Sequence, residues 1–380
     1  MNACIFPQTR GICEHPARIP DGDPASAIAS HRKSELSPAF EAFHTDVANA
    51  PDPAALVRLA SALDGLWLHD VATPADAAID HRISDAADAL TRHLLRLSEA
   101  ELGPPPVAYA WIAYGSQGRR ELGPGSDQDN ALVLADGYRA AQHGDYFARL
   151  ADKVCNALAA CGFVLCPGKM MASNPAWRLR SSDWASLFHG WITASDRHQA
   201  RLAGNFFDLR LVAGEAGLLL PLFATIGTDC PRHDSLLAHW IANAWATPPA
   251  LGIFRRFLLD AAGKLDLKHS AIIPLVELAR IHALSAGIAE PTGTLPRLQA
   301  AGGQRWLSAA GSRELVAAWQ FVCRLRRQHQ RRALLRGQTT DNLIDPDQLS
   351  PGDQEKLRNV LHLLTLHRRA LRQIYPHMPA

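Results

Sequence analysis

The sequence predicts an α+β protein in which a small mixed sheet is set into a chain that is otherwise helical. Three observations carry this. Two short apolar runs, residues 109–114 and 131–135, flank the polar, glycine-rich stretch GSQGRRELGPGSDQDN. Before and after them, apolar residues recur at three- and four-residue spacing, the helical period. Beyond Gly214 the helical pattern continues almost unbroken to the C-terminus.

Taken in order, residues 1–33 have no apolar core long enough for a signal peptide and read as a disordered lead-in. Residues 34–103 read as helices over 34–50, 52–68 and 84–102, with Ser84 as an N-cap. Alanine-rich and without a reactive constellation, they read as packing or regulatory structure. Gly103-Pro104-Pro105-Pro106 ends the last of them and delivers the chain into the first strand. Residues 104–213 form the sheet domain: strands at 109–114 and 131–135, a helix over 138–161 closed by Gly162, and a strand over 205–212. Residues 214–380 form a helical domain. Its segments fall near 215–227, 232–246, 251–262, 272–286, 294–301, 312–336 and 351–374, broken by Pro248-Pro249, Gly263, Gly287, Gly302-Gly303 and Asp345-Pro346.

Composition excludes several classes. The 380 residues carry a net charge of +2 and are 20% charged, which gives no electrostatic basis for bulk nucleic-acid binding. No run approaches the roughly 20 apolar residues of a membrane span. The seven cysteines include no CxxC pair, and Cys155, Cys161 and Cys166 lack zinc-finger spacing. Reduced thiols in a cytoplasmic protein are expected.

The chemistry-bearing stretch joins the first two strands. Asp127 and Asp129, at i and i+2 on an extended segment, point to one face. Like charges held that close repel, and a cation between them is the natural reason to keep both. Mg²⁺, or Mn²⁺ in its place, binds such carboxylates and leaves positions for phosphate oxygens. Gly115 and Gly118 allow close backbone approach, and Ser116 adds a hydroxyl, the makings of a phosphate cradle. Asp208 sits within the apolar run NFFDLRLV, where an unpaired buried acid is costly. It needs Arg210, another arginine such as Arg178 or Arg180, a hydrogen-bond network, or a metal.

The order Gly-Ser, spacer, Asp-x-Asp resembles the nucleotidyltransferase superfamily related to DNA polymerase beta. Four segments carry a narrower resemblance: GSQGRRELGPGSDQDNALVLAD, CPGKMMASNPAWR, FFDLR and LDLKHSAIIPLVELARIHAL. Together they are similar to the signal-transduction nucleotidyltransferases commonly fused to CBS or cyclic-nucleotide-binding domains, and in turn to the uridylyltransferase of the PII protein. Residues 1–33 are too short for those sensor modules, so a regulatory signal is expected to enter through a partner or the helical parts.

The resemblance implies transfer of a nucleoside monophosphate from an NTP to a protein or small-molecule acceptor. It assigns Asp127, Asp129 and Asp208 to the metals, with Asp208 also helping to deprotonate the acceptor and Asp183 as fallback. Gly115, Ser116 and Gly118 would hold the triphosphate. Arg119 would neutralise a phosphate or pair with Glu121. Asn174 would contact a base or shape a turn, and Lys268 would reach a phosphate or pair with Asp266. Cys166, Gly168 and Trp177 match the second segment, with Cys166 read as buried. Basic side chains at 324–332 and 368–372 read as solvated faces or as a patch for phosphates or an acidic partner surface. The competing function is a non-catalytic nucleotide-binding regulator acting through its helical domain.

Overall fold

A computed structural model describes residues 38–71, 79–246 and 250–374. The expected lead-in at 1–33 lies outside the described residues. Four helices come first: α1 (Pro38–Ala48), α2 (Pro53–Ala60), α3 (Leu63–Asp70) and α4 (Ile79–Leu102). Asp52 caps α2, accepting from the Ala55 amide at 2.7 Å, with Pro53 at the first position.

The sheet follows. Strand β1 (Tyr109–Ala113) runs into the single turn α5 (Gly115–Gly118). Next come β2 (Asp127–Gln128), β3 (Asn130–Leu134), α6 (Ala140–Ala160), β4 (Val164–Leu165) and β5 (Arg178–Arg180). After α7 (Ser181–Ala194) and α8 (Arg197–Ala203), β6 (Arg210–Gly214) completes it. The four-stranded order is β5-β3-β1-β6, with β1 antiparallel to β3 and β6, and β3 parallel to β5. This is the mixed sheet the sequence predicts.

Both faces of the sheet are buried, which is why β1 and β3 read as continuous apolar runs and not as alternating ones. Tyr109, Trp111 and Ala113 of β1, with Leu132 and Leu134 of β3, face a core built from α1–α4 and α6. Ala110, Ile112, Ala131 and Val133 face the opposite core, built from α7 and the helices that follow the sheet. Those helices are α9 (Leu220–Asp229), α10 (Ser235–Ala246), α11 (Ile273–Ser285), α12 (Thr294–Ala301), α13 (Ala309–Leu335) and α14 (Pro351–Ile374). One small antiparallel pair interrupts them, β7 (Leu265–Asp266) with β8 (Leu343–Ile344).

Two expectations need correcting. The strand expected over 205–212 begins only at Arg210; Gly204–Asp208 is a 3-10 turn that buries Phe206 and Phe207. The helix expected over 251–262 is absent. That stretch is a loop with a 3-10 turn at Ile253–Arg255 and Phe254 at φ +58°. Leu251 and Phe257 still pack against the core, but Phe254 is 90% exposed and Leu258 52%.

Candidate nucleotide and metal site

The site is assembled on β2 and the turn after β1. In the extended segment 127–130 alternate side chains diverge, as strand geometry requires. Gln128 and Asn130 turn inward: Gln128 donates to the carbonyls of Cys155 (3.0 Å) and Phe163 (3.1 Å), and Asn130 donates to Gln128 at 3.1 Å. Asp127 and Asp129 take the other side, as the i, i+2 spacing predicts. Parallel pairing of β2 with β4 sets Asp127 opposite Val164 and brings Cys166 alongside. One carboxylate oxygen from each aspartate and the Cys166 sulfur lie within 4.8 Å of one another. Among the described residues this is the one such group of acid, histidine and cysteine ligands.

Asp129 is the tightest member. It is buried, and its Oδ1 has no hydrogen-bond partner. Burial first, and the neighbouring Asp127 charge second, push its carboxyl up to about 6. A buried carboxylate with a second carboxylate beside it and one oxygen lacking a donor is what a cation would complete. The residues present therefore fit a divalent ion.

Gly115 and Gly118 serve packing as much as approach. Gly115 has φ +57°, and a Cβ there would stand 2.5 Å from Asp129 Oδ2. At Gly118 a Cβ would stand 2.1 Å from the Asp208 carbonyl oxygen. Gly118 is buried, and its own carbonyl accepts from Thr292 Oγ1 at 3.1 Å and from Arg210 Nε at 3.3 Å. Ser116, in contrast, is partly exposed. It lines a cleft of about 570 Å³ together with Arg119, Asp127, Lys268, Arg280 and Arg326. The cleft lies between the sheet and the helices that follow it.

Asp208 is not brought to the aspartate pair. It is fully buried in a cage of three guanidiniums. Arg119 Nη1 donates to Oδ2 at 2.5 Å, Arg280 Nη2 to Oδ2 at 2.6 Å, and Arg297 Nη1 to Oδ1 at 2.5 Å. Burial alone would raise this carboxyl, but Arg280, Arg119 and Arg297 outweigh it and hold it far below the usual carboxylate range. With both oxygens occupied by cations, Asp208 has none to offer a metal. The fallback Asp183 is also elsewhere, paired with Arg180 at 2.7 Å on the outer face. Arg210, expected beside Asp208, pairs with Asp88 of α4 at 2.6 Å. Asp88 also accepts from Gln117 in the glycine turn, so a helix read as mere packing holds that turn in place.

Arg119 pairs with Glu121 at 2.6 Å as well as with Asp208, and its guanidinium still lines the cleft. Asn174 is spent locally: it caps the turn at Ala176 (3.1 Å) and donates to the Lys169 carbonyl (3.0 Å). Asp266 pairs with His269 at 2.7 Å, leaving Lys268 exposed on the cleft wall. Cys166 was legible only as a buried thiol; its place beside the aspartates is set by a strand pairing that local sequence does not signal.

Residues 70–198 match the family described as "Putative nucleotidyltransferase DUF294". Residues 234–375 match its companion, described as "Putative nucleotidyltransferase substrate binding domain". The chain belongs to this nucleotidyltransferase family. The cleft lies where the two matched parts of the chain meet. The chain is also similar to the bifunctional glutamine synthetase adenylyltransferase/adenylyl-removing enzymes. The Stenotrophomonas maltophilia protein is 33% identical over 156 residues, 36% of this chain and 16% of that protein. The Xanthomonas campestris pv. campestris (strain B100) protein is 38% identical over 87 residues, 20% of this chain and 9% of that protein. The chain thus spans less than a fifth of the length of these curated relatives. No helix among its described residues is long and apolar enough to cross a membrane.

Proposed function

We propose that the protein transfers a nucleoside monophosphate from an NTP to a hydroxyl of a protein or small-molecule acceptor, releasing pyrophosphate. The observation that carries this reading is Asp129, buried with an unsatisfied oxygen beside Asp127, which itself lines a cleft of about 570 Å³. Asp127 and Asp129 hold a divalent ion, Mg²⁺ or Mn²⁺. Bound there, the ion supplies charge neutralisation for the phosphates at the reacting centre. Ser116 and the backbone around Gly115 position the triphosphate, and Lys268 and Arg119 add positive charge from the two sides of the cleft. Asp208 does not act as base, because its oxygens are held by arginines.

Kinship to adenylyltransferases makes ATP the first donor to test, and the resemblance to PII uridylyltransferase makes UTP the second. A signalling protein is the acceptor class that this resemblance suggests. A cytoplasmic setting fits the free cysteines Cys155, Cys161, Cys166, Cys230 and Cys323.

One observation favours a second reading, a nucleotide-binding regulator without turnover: no third carboxylate stands with the aspartate pair among the described residues. Incubation with each α-labelled NTP, Mg²⁺ or Mn²⁺ and cell extract separates the two. Transfer of label that is lost in the Asp127→Asn, Asp129→Asn double variant supports the enzyme. Aspartate-dependent NTP binding with no transfer and no pyrophosphate supports the regulator. Absence of both would end both readings.

A further inference from the structure

We propose that Cys166 is a third ligand of the ion held by Asp127 and Asp129, and that its sulfur shifts the site toward thiophilic divalent ions of the Zn²⁺ class. The inference rests on the reading that the aspartate pair holds a divalent ion.

Three observations carry it. The sulfur and one oxygen from each aspartate lie within 4.8 Å of one another, a spacing that one ion spans. Asp129 is 7% exposed, and its Oδ1 has no hydrogen-bond partner. The sulfur is also positioned by its own backbone. The Lys169 amide donates to the Cys166 carbonyl at 2.9 Å, closing a turn in which Lys169 takes φ +52°. That turn folds Gly168 against the sulfur, where a Cβ on the glycine would stand 3.6 Å from it. The other cysteines among the described residues do not share these surroundings. Cys155, Cys161, Cys230 and Cys323 are buried, and none of them belongs to such a ligand group among the described residues.

The ligand chemistry decides the ion class. Mg²⁺ demands near-octahedral oxygen coordination and gains little from sulfur. Zn²⁺ accepts thiolate and carboxylate together at tetrahedral sites, and three protein ligands leave its fourth position open, here for a phosphate oxygen. Soft ligands select such ions over hard ones, so one sulfur beside two carboxylates separates this site from an all-oxygen pair.

Cadmium is the probe, because a cadmium–thiolate bond has an ultraviolet charge-transfer band. The full-length, ion-stripped protein is titrated with Cd²⁺ by absorbance, and with Mn²⁺ by loss of the free-ion paramagnetic resonance signal. A band saturating at one equivalent is expected. It should vanish in Cys166→Ser and in the Asp127→Asn, Asp129→Asn double variant. In Cys166→Ser the Cd²⁺ dissociation constant should rise about tenfold or more, while that for Mn²⁺ moves by less than about threefold. Cys166→Ala gives the same readout without a replacement hydroxyl, and far-ultraviolet circular dichroism checks the fold of each variant. If Mn²⁺ binding requires the aspartates but the cadmium band survives loss of Cys166, the proposal is overturned and the proposed function stands. If neither ion depends on the aspartates, both fall.

Discussion

Gly115 and Asp129 close on each other so tightly that a Cβ on the glycine would stand 2.5 Å from the carboxylate oxygen Oδ2. The same glycine has φ +57°, a region that costs other residues roughly 1–2 kcal/mol. Gly115→Ala therefore strains the turn and displaces the carboxylate at once. A stability loss of about 1–3 kcal/mol is expected, together with loss of divalent-ion affinity. Urea unfolding and Mn²⁺ titration measure the two effects; unchanged ion affinity would show that the contact does not set the carboxylate's position.

Asp208→Asn tests whether the arginine cage is structural. Removing the single carboxylate leaves Arg119, Arg280 and Arg297 without their shared counter-charge in a buried site. Loss of one partner from a buried ion pair costs about 3–5 kcal/mol. The urea midpoint of this variant should fall steeply. The Asp127→Asn, Asp129→Asn double variant, which relieves repulsion, should melt at the wild-type temperature or slightly above. The reverse ranking would mean that Asp208 is the functional acid and the pair is structural.

His282 and His367 predict an acid limit to stability. Burial pushes His282 down to about 3, with His367 adding to the effect, and burial pushes His367 down to about 4. Both ring nitrogens of His282 and Nε2 of His367 lack partners. The unfolded chain takes up protons at these rings near pH 6.5 and the folded chain does not. Their neutral-pH stability is thus lost as pH falls from 6.5 toward 4, by up to about 1.4 kcal/mol per pH unit for each ring. His282→Leu should flatten the pH dependence of the urea midpoint over that range. An unchanged slope would assign the acid sensitivity over this range to other groups.

Residues 1–213 expressed alone should not form a stable domain. That fragment removes Arg280 and Arg297 from Asp208, Thr292 from the Gly118 carbonyl, and the Thr294 amide that donates to Glu121 at 2.8 Å. It also strips α9–α14 from the core that Ala110, Ile112, Ala131 and Val133 share with α7. Light scattering and circular dichroism check this; a soluble, cooperatively melting monomer would refute it.

What the sequence revealed and concealed divides along contact distance. The strands at 109–114 and 131–135, the helix over 138–161 and the Asp127-x-Asp129 face follow from periodicity and spacing, which act over a few residues; the cap expected at Ser84 does not, since Ser84 lies inside α4 and donates to the Asp80 carbonyl at 2.9 Å. The site's other members depend on long-range pairing. Arg280 and Arg297 reach Asp208 from 72 and 89 residues away. Cys166 arrives only because β4 pairs with β2, and Asp88 only because α4 lies against the glycine turn. No local pattern marks these partners. The apolar content at 205–212 and 251–262 misled for a related reason, since it records burial or exposed bulk and not the conformation that the surrounding fold imposes.

The Asp208 cage also bears on how such proteins can be rebuilt. A single carboxylate next to the sheet is held by two guanidiniums supplied from the helical half. A helical region grafted from another protein would succeed only if it presented arginines at both places. Without them the graft would leave the buried Asp208 with Arg119 alone of its three arginines. Changes at these four positions are therefore expected to travel as a set, and the two halves to be inherited as one piece.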